Sequence, residues 1–170
     1  MAGEARDLVF ISYSRRDRDW LEWLLIFLKP YTRRNLKVWA DPYIEVGGEW
    51  RRNVSQALSR SRIGVLLVSP HFLASDFIHN EELPPLLEGA GAGAITLVPI
   101  LISTCDYKAT PLARYQFANA TARPLDRMSE PERNPVFVDI VRKNVAAAEK
   151  TLPDTPNQPR GDTMPSRRGP

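Results

Sequence analysis

The chain has 170 residues, 43% of them hydrophobic, with a formal net charge of +3 and a pI near 9.2. That is one domain with a core of its own plus a short appendage, and its charge forms no basic run, so no direct contact with nucleic acid is expected. A single cysteine, Cys105, permits no internal disulfide, the N-terminus lacks an apolar signal core, and no apolar run reaches membrane length, so a cytoplasmic protein without a membrane partner is expected.

Residues 1–6 read as a disordered N-terminus. Leu8-Val9-Phe10-Ile11-Ser12 reads as a first strand, short and uninterruptedly apolar, as in a parallel sheet covered on both faces. Ser14 to Asp17 is a polar turn. From Asp19 a broad apolar face (Trp20, Leu21, Trp23, Leu24, Leu25, Phe27, Leu28) predicts a helix that Pro30 ends or kinks. Leu36 to Ala40 is a second strand, and Asp41 to Gly48 a loop closing on a glycine pair. Glu49 to Ser59 is helical, and Ile63 to Val68 is a third, fully apolar strand.

Segment 70–90 reads as a broken helix. Pro84 cannot sit in a helix interior without removing a hydrogen bond to residue 80, so one short helix up to about Glu82 is followed by another with Pro84 in its first turn. Gly89, Gly91 and Gly93 form a connection. Ile95 to Leu101 is a fourth strand, which Pro99 puts at an edge or a bulge. Residues 103–122 are mostly loop, Arg123-Pro124-Leu125 is a candidate fifth strand, and Pro131 to Lys150 is the last helix. From Thr151 on, prolines and a lack of apolar groups mark a disordered tail or linker over 151–170, leaving a domain of 7–150.

This alternation predicts an α/β fold: a flavodoxin-like, doubly wound parallel sheet of four to five strands with helices on both faces. Right-handed crossovers bring the segments after strands one, two and three to one edge, where such sheets keep their sites. A phosphoacceptor response regulator has the same sheet but needs acidic residues after strand one and an Asp ending strand three. Here those places hold Ser12-Tyr13-Ser14 and Ser69-Pro70.

Four segments carry a family resemblance. They are Leu8 to Ser14, ending Phe-Ile-Ser-Tyr; Val38-Trp39-Ala40-Asp41 through Gly47-Gly48-Glu49-Trp50; Ser69-Pro70-His71-Phe72 through Glu81-Glu82-Leu83; and, more weakly, Leu112 to Asn119. In this order they resemble the opening box, the second strand with its "BB loop", the Ser-Pro to Glu-Leu stretch and a later box of TIR (Toll/interleukin-1 receptor) domains, the last in bacterial-type form. The resemblance covers about residues 6–150. In place of the proline before glycine common in the BB loop, this chain has Val46-Gly47-Gly48.

Some TIR domains cleave the nicotinamide–ribose bond of NAD, and the resemblance implies that activity here, with NAD as substrate and neither cofactor nor metal. The cationic pyridinium departs neutral and needs no acid; the ribose becomes oxocarbenium-like, and one carboxylate stabilises it. Glu82, followed by Leu83, falls at the family's catalytic Glu. Glu81 stands beside it, and because neighbours on a helix point about 100° apart only one of the two faces the site. Keeping the Glu-Leu pair together favours Glu82. The resemblance also implies substrate contacts at Phe10, Ser12, Tyr13 and Arg15 around the exit of strand one, with Arg15 or Arg16 meeting pyrophosphate. Asp41 opens the BB loop, Trp50 is a candidate for base stacking, Ser75 is a helix cap or a substrate contact, and Tyr115 is a candidate to close the pocket.

Family members often build the pocket across two subunits, so self-association through TIR–TIR contacts of the 41–49 loop is implied, with a fused or associated sensor after residue 150 and a role in defence or cell-death signalling. The other class of function is a non-catalytic adaptor binding further TIR domains. An adaptor has no requirement for a carboxylate at 82, and this chain offers two at that point.

Overall fold

The computed structural model describes residues 5–40 and 48–146. Asp41, most of the 41–49 loop, residues 147–150 of the expected final helix and the segment 151–170 lie outside these residues. Four strands among the described residues form one parallel sheet: β1 (Leu8–Ser12), β2 (Lys37–Ala40), β3 (Ser61–Val68) and β4 (Thr96–Leu101), in the order β2-β1-β3-β4. The helices are α1 (Arg18–Thr32), α2 (Gly48–Ser59), α3 (Pro70–Ala74), α4 (Leu83–Gly91) and α5 (Glu130–Ile140). The expected flavodoxin-like winding is therefore present, with β1 and β3 central.

The strands are apolar at nearly every position because both faces are covered, and alternate residues feed two separate cores. Val9, Ile11, Ile63, Val65 and Leu67 pack with Leu21, Leu24 and Leu28 of α1 and Phe137 and Ile140 of α5. Leu8, Phe10, Leu66 and Val68 pack with Val54 and Leu58 of α2, Phe72 of α3 and Leu86 of α4. Each fully buried Leu, Val or Phe contributes about 1.5–3 kcal/mol. Gly64 permits α4 to lie close to the sheet: a Cβ there would meet Leu86 Cδ2 at 3.0 Å and Leu97 Cδ2 at 2.9 Å.

Several expectations change. Pro30 does not end α1, which runs to Thr32; placed in the last turn, it forfeits one hydrogen bond, to Ile26. The chain turns away from the helix three residues later at Asn35, in the left-handed region at φ 79°, beyond which the Leu36 N–H donates to Tyr31 O at 3.1 Å. Arg123-Pro124-Leu125 forms no strand. Leu125 is a fully buried plug on the α1–α5 side that opens a 3-10 turn. The free edge of β4 is closed by other means. Ala118 N–H donates to Pro99 O at 2.8 Å, and the Asn119 side chain both accepts from Leu101 N–H at 2.8 Å and donates to Leu101 O at 3.0 Å. Arg6, at the N-terminal border, donates from Nη1 to Ser61 O at 2.9 Å. α5 begins one residue earlier than expected and runs into a π-helical turn, Val141–Ala146.

The broken helix at 70–91 is broken at two places. α3 stops at Ala74, and a π-helical turn, Ile78–Glu82, joins the next segment to α4. Leu83 N–H donates to Ile78 O, five residues back, so the turn holds one residue more than an α-helical turn would. Pro84 and Pro85 then fall in the first turn of α4, where an N–H is not needed.

Candidate functional site

Parallel pairing delivers the exits of β1 and β3 to the same edge of the sheet. β1 ends at Ser12 and passes through Tyr13 into the 3-10 turn Arg15–Asp17. β3 ends at Val68, and Ser69 caps α3 by accepting from Phe72 N–H at 3.0 Å, with Pro70 in the first turn.

The π-helical turn decides which of the two glutamates points inward. Glu82 is 2% exposed, and its Oε2 accepts a hydrogen bond from Ser12 Oγ at 2.7 Å. Ser12 itself has no exposed surface. A carboxylate is rarely sealed away unless it is bonded. Glu81, one residue earlier, is exposed and lines a different cleft, of about 470 Å³, between α2 and α4.

The turn that follows Ser12 leads to a cavity of about 420 Å³, whose lining includes neither Ser12 nor Glu82. Ser14, Arg15 and Arg16 from the turn after β1 form one part of its lining. Trp50 and Arg51 come from α2; His71, Ser75 and Phe77 come from α3 and the segment that follows. Three arginines and a histidine make part of it suited to an anion. Trp50 and Phe77 pack with ring centroids 4.4 Å apart at 43°, an aromatic surface beside the basic one.

Asp17 is a second buried carboxylate, 6% exposed, and it accepts a hydrogen bond from Ser69 Oγ. Burial pushes its carboxyl above the usual carboxylate range, against the opposing pull of the Ser69 hydroxyl and of His71. Burial likewise pushes the Cys105 thiol up.

Of the residues singled out from sequence, Arg15, Trp50 and Ser75 meet at the cavity, and Ser12 and Glu82 meet each other outside its lining. Ser75 also accepts from Ile78 N–H at 3.4 Å, capping the segment before the π-helical turn. Phe10 does not reach the cavity: it is fully buried and stacks on Trp39 at 4.9 Å. Tyr13 is buried in the α1–α5 core, and Tyr115 packs half-buried against the opposite one. Neither lines the cavity. Asp17 and Ser69 were not foreseen. Ser69 carried a signal, a serine before a first-turn proline; Asp17 looked like any polar turn residue.

The sheet order fits a known fold, and the family model for the TIR domain matches residues 9–132. The chain belongs to the TIR domain family. A bacterial relative, the uncharacterized protein y4lF of Sinorhizobium fredii (strain NBRC 101917 / NGR234), is 28% identical over 137 residues, covering 79% of this chain and 41% of the relative. The chain thus spans about two fifths of the length of the curated relative that it matches. Among solved structures, the TIR domain of the Toll-related receptor TRR-2 from Hydra magnipapillata is similar, with a TM-score of 0.51 and 22% identity, covering 78% of this chain and 96% of that one. At that identity the likeness is one of fold. No helix among the described residues of this TIR domain is long and apolar enough to cross a membrane.

Proposed function

We propose that this TIR domain cleaves NAD between nicotinamide and ribose, with Glu82 as its catalytic carboxylate. The reading rests above all on one observation: Glu82 is almost sealed from solvent, yet its carboxylate is fixed by the Ser12 hydroxyl at 2.7 Å, at the sheet edge from which the next turn leads to a basic and aromatic cavity. A carboxylate held in one orientation in a low-dielectric setting is what an oxocarbenium-like ribose requires. As the C–N bond breaks, its electron pair goes to the pyridinium nitrogen and nicotinamide leaves neutral. Water then adds to the ribose carbon and loses a proton, giving ADP-ribose; attack from within the same molecule gives a cyclic product instead. Arg15 and Arg16 would meet the diphosphate, and Trp50 offers a ring for stacking.

In this reading the domain acts when copies assemble through TIR–TIR contacts that include the 41–49 loop. A sensor joined or bound beyond residue 150 controls that assembly, in defence or cell-death signalling. The test is nicotinamide release from NAD at high protein concentration and on a clustering support. Glu82→Ala is expected to lose at least about 100-fold in turnover, and Glu81→Ala to stay within about twofold. Loss in Glu81→Ala alone would keep the reaction and move the carboxylate. No release from clustered wild-type protein would leave the adaptor reading in its place.

A further inference from the structure

Asp17 is a buried carboxylate that the proposed chemistry does not use, and its hydrogen bonds run in two directions. Toward β1, its N–H donates to Ser14 O at 2.8 Å, and Ser14 Oγ accepts from Arg16 N–H at 3.4 Å. Toward β3, its Oδ2 accepts from Ser69 Oγ, the same oxygen that accepts from Phe72 N–H at 3.0 Å to cap α3. One end of this chain of bonds is the turn that bears Arg15 and Arg16. The other is the head of α3, which bears His71 and leads to Ser75. All four of those side chains line the 420 Å³ cavity. The β1–β3 ladder stops at Ser12 and Leu66, so beyond it the two exits depend on side chains for their relative position.

We propose that Asp17 and Ser69 are positioning residues: their hydrogen bond holds the Arg15–Arg16 turn and the head of α3 at the separation at which the cavity receives an anionic ligand, and neither touches that ligand. The proposal deepens the NAD reading and rests on it for the ligand, a dinucleotide diphosphate. A merely structural pair would lower the fraction of active protein, and so kcat, without moving KM. A positioning pair moves KM, because misplaced arginines weaken the diphosphate contact.

The experiment measures kcat and KM for NAD, together with backbone amide exchange of the ligand-free protein, for wild type, Asp17→Ala, Asp17→Asn and Ser69→Ala. Asp17→Ala and Ser69→Ala are expected to raise KM about tenfold with kcat within about twofold. Asp17→Asn keeps an oxygen that can accept from Ser69 and is expected to stay within about threefold of wild type. In Asp17→Ala the Phe72 amide is expected to exchange about tenfold faster while the β3 amides keep their rates, since the capping hydroxyl has lost its anchor. An unchanged KM, an Asp17→Asn variant as impaired as Asp17→Ala, or unchanged exchange at Phe72 would each overturn the proposal. If wild-type protein leaves NAD intact, the NAD reading fails, and the pair is judged by the Kd for ADP-ribose instead: a rise of about tenfold in Asp17→Ala and Ser69→Ala supports it and an unchanged Kd overturns it.

Discussion

Ser12 donates the hydrogen bond that orients Glu82, so Ser12→Ala should leave the buried carboxylate without that donor. The expected result is a kcat about tenfold lower with a smaller change in KM, read from the same nicotinamide assay. Asp17 gives a signature of a different kind. Its pKa in the folded protein lies above the ordinary 3.8, mainly because burial disfavours the charged form. The folded state therefore holds its proton more tightly than the unfolded chain. The ionised group weighs against stability above the folded pKa, and that penalty fades as pH falls through the folded value toward 3.8. Asp17→Asn should accordingly be more stable than wild type at pH 7, with the gap in urea midpoint closing in acid; a gap that widens in acid would contradict this. Glu82 was legible in the sequence through its pairing with Leu83. The choice of Glu82 over Glu81 came from that register alone; helical spacing does not make it, because which of the two faces inward depends on hydrogen bonding within the helix, and nothing in side-chain type records it.

The π-helical turn is the element that settles this, and it carries its own prediction. Deleting either Glu81 or Glu82 yields the same sequence, Ile-His-Asn-Glu-Leu. In that variant the bond from Leu83 N–H to Ile78 O would span four residues, closing an ordinary α-helical turn around the same two anchors. The remaining glutamate would then take the inward place. The variant should fold, with a melting temperature close to that of wild type, and keep NAD turnover within about fivefold, unlike Glu82→Ala. A deletion as inactive as Glu82→Ala would show that the wider turn itself shapes the site. The end of α1 offers a simpler case: Asn35 stands at φ 79°, which a β-branched residue tolerates poorly, so Asn35→Val should cost about 1–2 kcal/mol by urea unfolding. The sequence led to Pro30 as the end of α1 or a kink in it, since proline is the stronger breaker; a proline in the last turn, however, sacrifices one bond, and the left-handed residue after the helix is what turns the chain.

At the scale of the whole molecule, acid should loosen the fold through carboxylates that stabilise it only when ionised. Glu132 accepts from Ser129 N–H at 2.8 Å and pairs with Arg123 at 2.9 Å; these contacts, the backbone bond foremost, hold its pKa down to about 2 from 4.5. Asp7 is lowered by the Lys37 hydrogen bond first and by Arg60 as well. Because both folded values lie below the unfolded ones, the stability Glu132 supplies is complete above about pH 4.5 and is lost as pH falls toward 2, and that of Asp7 is complete above about pH 3.8 and is lost below it. Glu132→Gln should flatten that limb of the stability curve. The order of strands and helices was legible because strands buried on both faces are apolar throughout. The candidate fifth strand misled because Leu125 is apolar for a different reason, as a plug, beside a proline that cannot donate to a ladder. What stands at that edge instead is Asn119, and one polar side chain leaves no periodic trace. Asn119→Leu would leave the Leu101 amide and carbonyl unpaired at a buried position and should cost about 2–4 kcal/mol by urea unfolding. With Asn119 in place, the outward groups of Pro99 and Leu101 are already taken. An exposed edge with unpaired groups is a template for the next chain; here that template is withdrawn from Pro99 to Leu101. Any filament of this domain would grow past β4 as a row of closed units joined by their surfaces, separable on dilution, and not as a continuous ribbon that commits the protein to a fibre.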